Sequence, residues 1–276
     1  MLIDTHSHVN FNAYKNDADE VIRRSLNNNI WMINVGSQYS TSKKAVEIAE
    51  EYPEGVYAAV GIHPIHLSRG IFKTKIDTEE IEFETREEEF DYKKYKELAG
   101  SKKVVAIGEI GFDYWYRPKT KVKLAEFKNY QKEVFLKQLE LAKELNLPVI
   151  LHCRVAHNDL IETLTPQIKN YKLRGVLHCF TGTLEDAKKY IEMGFYIGFN
   201  GLIFKLNQWD EIIKKIPIEK ILVETDCPYL TPKPMVGRNE PLYVKYTAER
   251  ITELKNLNYD EVSKITTQNA KELFKI

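Results

Sequence analysis

The chain has 276 residues, 43% of them hydrophobic, enough for one α/β-barrel domain or two small domains. Forty basic residues balance forty acidic ones, which excludes a passive nucleic-acid coat but not an enzyme whose bound cations supply positive charge locally. With no apolar run near the roughly 18 residues of a bilayer span, no secretory pattern in MLIDTHSHVNF and only three cysteines, the totals predict a reducing, cytoplasmic setting without membrane insertion.

Short apolar or β-branched runs then alternate with amphipathic stretches along the chain. Strands are predicted at residues 2–4, 31–35, 56–61, 104–108, 148–151, 175–178, 195–199 and 221–224. Between them, residues 131–145 place Val134, Leu136, Leu139, Leu141, Ala142 and Leu145 at broadly helical spacing. Pro148, Gly175 and Gly194 punctuate helix from strand. The last helix is predicted over 261–274, where Asn258 with Glu261 three residues on resembles a capping box. Eight strands alternating with helices give an α/β fold of parallel units, best closed as a single (β/α)8 TIM-type barrel over residues 1–276. Periodicity alone leaves an open doubly wound sheet available. Two segments look inserted: the acidic 73–95 stretch before the fourth strand, and the basic, aromatic 114–128 stretch after it.

The chemistry-bearing residues gather at strand ends. The first strand runs into Asp4-Thr5-His6-Ser7-His8, and alternation puts His6 and His8 on one face. Alone, such a pair is a weak sign of metal. Its recurrence is stronger: Glu109 closes VVAIGE, His152 closes PVILH, His178 closes GVLH and Asp226 closes ILVETD. Each follows an apolar run that would bury it unless something polar met it there, and a barrel places its chemistry at that rim. Separate, hydrogen-bonded junction residues are the rival reading. Cys153, Cys179 and Cys227 each follow a candidate ligand, so strand alternation turns them away as packed thiols. The remaining nitrogen and oxygen donors suit Mg²⁺, Mn²⁺ or Zn²⁺ without choosing among them.

In order, the landmarks DTHSH, AVGIHP, GEIGFDY, QLELAKELNLPVILHCR, LHCFTG, IGFNG, ETDCPYL, RNEP and NAKELF span nearly the whole chain. In this the sequence resembles the TatD family of metal-dependent deoxyribonucleases, within the amidohydrolase-like metal barrels. The resemblance implies two divalent ions, with His6, His8 and Asp226 on one, His152 and His178 on the other, and Glu109 between them. It also implies hydrolysis of phosphodiester bonds in single-stranded DNA, or in RNA, from the 3′ end. A water bridging the metals is the expected nucleophile, oriented and deprotonated by Asp226. Glu109, Asp226 and His63 form the expected catalytic set. His63 would hydrogen-bond a phosphate oxygen or the leaving group, with a junction histidine as the alternative.

Arg154, on the face of His152, is the expected phosphate contact, with a structural ion pair as its rival. Lys205 and Arg238 are further candidates for substrate backbone contacts. Asn239 and Glu240 are read as shaping their loop, and Asp113 as steadying a ligand or loop. Tyr114, Trp115 and Tyr116 beside Arg117 offer stacking faces, or simply pack the loop onto the barrel. Ile65 intervenes between Pro64 and His66 where the family often has a second histidine, so His66 is expected to face solvent. Val155 stands where an acidic residue is frequent, and IGFNGLIFK lacks a threonine often found there. A small-molecule amidohydrolase or esterase on the same centre is the second hypothesis, and a non-catalytic binding barrel the third. Nothing in the sequence calls for an obligatory protein partner.

Overall fold

Eight parallel strands run in chain order around one sheet: β1 (Leu2–Ser7), β2 (Ile30–Val35), β3 (Val56–Val60), β4 (Val104–Asp113), β5 (Val149–Arg154), β6 (Gly175–Leu177), β7 (Tyr196–Phe199) and β8 (Ile221–Val223). The computed structural model describes residues 1–67, 88–170 and 172–276. Sequential order and a closing contact between the first and last strands exclude the open doubly wound sheet, whose strand order reverses. That contact is a parallel bridge between Ser7 and Cys227. Around it, the Asp226 amide donates to the His6 carbonyl at 2.8 Å, the His8 amide to the Cys227 carbonyl at 2.9 Å, and the Thr5 hydroxyl to the Val223 carbonyl at 3.1 Å. Buried Asp4 adds a side-chain clasp, accepting from the Thr225 amide at 2.8 Å and from its hydroxyl.

The helices that cover the barrel are α1 (Ala18–Asn27), α2 (Tyr39–Glu50), α3 (Tyr92–Leu98), α4 (Lys121–Glu144), α5 (His157–Asn170), α6 (Leu184–Glu192), α7 (Asp210–Lys215), α8 (Val244–Lys255) and α9 (Tyr259–Phe274). None of the described helices is long and apolar enough to cross a membrane. Asn258 caps α9, its side-chain oxygen accepting from the Glu261 amide at 2.8 Å. The reciprocal half of the expected capping box is absent; the Glu261 carboxylate meets the Asn258 amide group instead, at 3.4 Å.

Every strand sends an apolar side chain into one interior cluster, among them Ile3, Ile33, Ala59, Val105, Ile150, Val176, Tyr196 and Leu222, with Leu273 and Phe274 of α9 joining it. Burying each valine, isoleucine or leucine among them stabilises the fold by about 1.5–3 kcal/mol. Two residues further along the same strand faces come His152, His178 and Glu224. The layer above the apolar plug is therefore polar by simple alternation.

On β1 and β4 alternation alone would fail. Between Asp4 and Ser7 three residues of β1 advance against two of β2, and between Ile107 and Ile110 three of β4 advance against two of β5. Each is a bulge that inserts one residue and switches faces. Ile107 and Ile110 thus both pack in the outer core with Phe112, while Glu109 joins the polar layer. A third adjustment, against β3, lets both Val105 and Ala106 pack in the inner cluster.

Several expectations need correction. β4 does not end at Gly108 but continues to Asp113, so Glu109 lies within the strand. Helix α4 begins at Lys121, ten residues before its predicted start at 131, so much of the 114–128 segment is its first two turns rather than an insertion. Of the acidic 73–95 segment, residues 73–87 lie outside the described residues, and Tyr92–Leu98 forms α3, capped by Asp91, whose carboxylate accepts from the Lys93 and Lys94 amides. His66 does not face solvent: it is fully buried, because Pro64–Leu67 coils into a short 3-10 turn that rolls it inward. Burial, together with the neighbouring His63, pushes its pKa down to about 3.

Candidate metal centre

Six side chains from five strands or their ends, His6, His8, Glu109, His152, His178 and Asp226, converge over the apolar plug. The Nε2 atoms of His6 and His8 approach to 3.1 Å. His8 Nε2 lies 3.4 Å from Asp226 Oδ1, and His178 Nε2 lies 3.7 Å from the same oxygen. The rings of His6 and His178 stack at 3.4 Å. Asp226 sits in the left-handed region at φ 57, a conformation aspartate tolerates better than most residues, and this turns its carboxylate back over the seam.

Glu109 lies at the middle of the group. Its Oε2 faces His6 Nε2 at 3.4 Å. Its Oε1 faces His152 Nδ1 at 2.7 Å, His63 Nε2 at 3.4 Å and His178 Nε2 at 3.8 Å. The two oxygens of one carboxylate thus address two different sets of donors. Burial opposes ionisation of Glu109, but His63, His178, His6 and His152 around it hold the carboxyl well below its usual range. Asp226 is likewise held low, burial being outweighed by His178, His8 and His6.

Hydrogen bonds outside the cluster decide which ring nitrogens face it. His8 Nδ1 is 2.8 Å from the Val35 carbonyl, which only accepts, so that nitrogen carries the proton and Nε2 offers a lone pair inward. His178 Nδ1 forms a 2.9 Å ion pair with Glu224, again leaving Nε2 for the interior. Glu224 is fully buried; the oxygen facing His178 also accepts from the Cys179 amide at 2.7 Å and the Asn200 amide group at 3.1 Å. Burial would lower the His178 pKa, yet Glu224, Asp226 and Glu109 raise it to about 10. His152 is held between Glu109 and Asp113, whose Oδ2 is 3.1 Å from Nε2; burial lowers its pKa, but these two carboxylates bring it up to about 9. His6 goes the other way, pushed down to about 4 by burial and by His178 despite Glu109.

The donor set fits divalent cations. Ring nitrogens backed by a carbonyl or carboxylate at their far side, and ionised carboxylates in a buried site, are what a metal requires of its ligands. Groups of three such donors lie within 4.8 Å of one another at His6, His8 and Glu109, and at His63, Asp113 and His152. A third group, His178, Cys179 and Asp226, departs from the expected inert thiol. Cys153 and Cys227 are buried as expected, whereas Cys179 leaves the strand at φ 44 and keeps its sulfur near the cluster.

His63 has its own geometry. Its Nδ1 accepts the Ile65 amide at 3.0 Å, so Nε2 carries the proton of the neutral ring and points toward Glu109. Arg154 extends β5 beyond His152 and stacks its guanidinium 4.5 Å from the Trp115 ring centroid. Lys205 is exposed after the 3-10 turn that follows β7. Arg238 is engaged elsewhere: it donates to both carboxylate oxygens of Asp17 and to the Ala13 carbonyl, and covers the Tyr14 ring at 4.2 Å. Asn239 is buried and ties the Thr225 and Tyr229 carbonyls together, while Glu240 pairs with Arg24 at 2.9 Å.

One carboxylate beside the cluster escaped sequence reasoning. Glu224 sits two residues before Asp226 and two after Leu222, so strand alternation held the signal that it faces the barrel interior. Asp113, expected to steady a ligand or loop, meets both His152 and the Trp115 amide, a placement that depends on β4 continuing through it.

Comparison with known proteins agrees with this geometry. The sequence matches the family described as TatD related DNase over residues 3–275. It is 42% identical to the uncharacterized metal-dependent hydrolase YabD of Bacillus subtilis, with all of both chains aligned. It is 33% identical to the 3′-5′ ssDNA/RNA exonuclease TatD of Escherichia fergusonii, across 100% of this chain and 99% of that one. The crystal structure of YJJV, a TatD homologue from Escherichia coli K12, superposes with a TM-score of 0.81 at 26% identity, covering 100% of this chain and 98% of that one. A whole-length family match, a sequential eight-stranded barrel and a buried cluster of histidines and carboxylates at its mouth agree: the chain belongs to the TatD-related DNase family of metal-dependent hydrolases.

Proposed function

We propose that the chain hydrolyses phosphodiester bonds in single-stranded DNA or RNA, working from the 3′ end, with two divalent ions of Mg²⁺, Mn²⁺ or Zn²⁺. The observation that carries the reading is the split of Glu109, one oxygen toward His6 and the other toward His152 and His178. In this reading His6, His8 and Asp226 would hold one ion and His152 and His178 the other, with Glu109 serving both sets. When bound, such a pair lowers the pKa of water and neutralises charge on the phosphoryl and leaving oxygens.

The remaining work falls to the chain. Asp226, held ionised at the rim of the cluster, orients the attacking water and takes its proton. His63 presents an N–H from Nε2, fixed by the Ile65 amide behind it, and donates to a phosphoryl oxygen or to the departing oxygen. Arg154 meets the substrate phosphate, and exposed Lys205 attracts the strand beyond it. The exonuclease name borne by the Escherichia fergusonii relative supports this substrate class.

The test is digestion of end-labelled single-stranded DNA and RNA, resolved on gels, with Mg²⁺, Mn²⁺, Zn²⁺ or EDTA and a Glu109→Ala control. Metal-dependent laddering from the 3′ end, absent in the control, is expected. Failure of folded, metal-loaded protein to cut either polymer would redirect the site to small esters or amides.

A further inference from the structure

Beside the metal-competent cluster lies an aromatic surface that the roles above leave unused. Trp115 is 56% exposed, the only tryptophan or phenylalanine so exposed among the described residues. The Arg154 guanidinium lies 4.5 Å from its ring centroid and 5.9 Å from that of half-buried Tyr116. Arg154 has no carboxylate partner among the described residues, so its charge is not spent on an ion pair. A cation on one face leaves the rest of the Trp115 ring to solvent.

This surface is coupled to the cluster through short links. The Trp115 amide donates to Asp113 Oδ1 at 2.8 Å, and Oδ2 of the same carboxylate lies 3.1 Å from His152 Nε2. Arg154 follows His152 by two residues on β5, about 7 Å along the strand on the same face. The Tyr114 amide donates to the Arg154 carbonyl at 2.9 Å, which fixes the aromatic segment against β5 beyond the end of β4. Position is set by backbone, and a freely moving loop would not hold a ring in this way.

The geometry points to Trp115 as a nucleobase platform: it stacks one unpaired base of the single-stranded substrate, while Arg154 braces the ring and directs its remaining N–H groups to the adjoining phosphate. Stacking on an aromatic face needs a base whose own face is free, and every base has one. A paired base inside a duplex does not expose its face. The platform therefore selects single strands without selecting sequence. It rests on the phosphodiesterase reading and names the residue that gives that reading its strand preference.

The test compares wild type, Trp115→Ala and Trp115→Phe on a single-stranded oligodeoxynucleotide, intact or abasic at its 3′-terminal nucleotides. Trp115→Ala should raise KM for the intact strand by about 5- to 150-fold, with most of the loss in KM rather than kcat. Trp115→Phe should recover much of it. Abasic ends should weaken wild type by a similar factor and cost Trp115→Ala almost nothing more, because the same contact cannot be lost twice. Equal KM values for wild type and Trp115→Ala, or losses that simply multiply, would overturn the platform while leaving nuclease activity standing. A wild type that cuts no oligonucleotide would overturn both. Thermal midpoints of the variants separate a lost contact from a lost fold.

Discussion

The Asp226 amide donates to the His6 carbonyl at 2.8 Å, so two side chains that converge on one cluster are joined by a backbone hydrogen bond across the barrel seam. β1 and β8 touch through few other contacts: the Ser7–Cys227 bridge, the His8 amide and the Asp4 and Thr5 side chains. Bringing His6, His8 and Asp226 together and closing the barrel are therefore nearly the same event.

It follows that metal should stabilise the whole fold. With Mn²⁺ or Zn²⁺ at about 100 times its dissociation constant, linkage adds about 2.7 kcal/mol. For a chain of this length that raises the thermal midpoint by about 5–10 °C, and EDTA should reverse the gain. His8→Ala should lose most of the shift. A midpoint indifferent to metal in the wild type would disconnect the cluster from the seam.

Metal binding should also expel protons. Burial notwithstanding, neighbouring carboxylates raise His152 to about 9 and His178 to about 10 in the metal-free protein, whereas metal takes neutral imidazole. At pH 7 about two protons should leave as the site of His152 and His178 fills, and its affinity should climb with pH until about 10. Metal-free stability runs the opposite way. The contribution of these raised groups is complete below the unfolded value of about 6.5 and is lost as pH rises through the folded values. Calorimetric titrations in buffers of different ionisation enthalpy count the protons; a count of zero at pH 7 would mean both rings are already neutral.

Glu224→Gln should weaken metal binding by about 10- to 100-fold. The substitution keeps the volume and an acceptor for the Cys179 amide but removes the negative charge beside His178 Nδ1. Competition against a chromophoric chelator measures the effect. Affinity unchanged from wild type would reduce Glu224 to a packing role.

His63→Gln should lower kcat by about 10²- to 10⁴-fold while leaving metal content intact. The ring lies 3.4 Å from Glu109 through the nitrogen that carries its proton. Loss of bound metal in the variant, measured by elemental analysis, would move His63 from proton donor to ligand.

What could be read from the sequence follows the range of the interactions involved. Strand positions and the clustering of His152, His178 and Asp226 were legible because apolar runs and their polar ends are local signals. The inward face of β5 continues unbroken from Ile150 through His152 to Arg154, so one period placed all three. The Arg238–Asp17 pair was not legible because its partners lie 221 residues apart, and no local pattern links them. His66 misled because a 3-10 turn sets its direction, and proline spacing does not say which way such a turn rolls. The start of α4 was missed because Val122, Leu124, Ala125 and Phe127 scatter around the helix instead of marking one buried face; its first turns lie largely on the surface.

The bulges on β1 and β4 carry a consequence for how this barrel tolerates change. Below each bulge the strand keeps step with its neighbours for packing; above it, the step is reversed and serves the metal-competent layer. If all the residues from Ile107 to Ile110 were kept but paired in an unbroken ladder, strict alternation would point Ile110 into the mouth and Glu109 at the helices. Such a protein could fold with its apolar plug intact and still be chemically blank. In this barrel a frame of reading is set twice along the same strand, and a single-residue slip silences the second without disturbing the first.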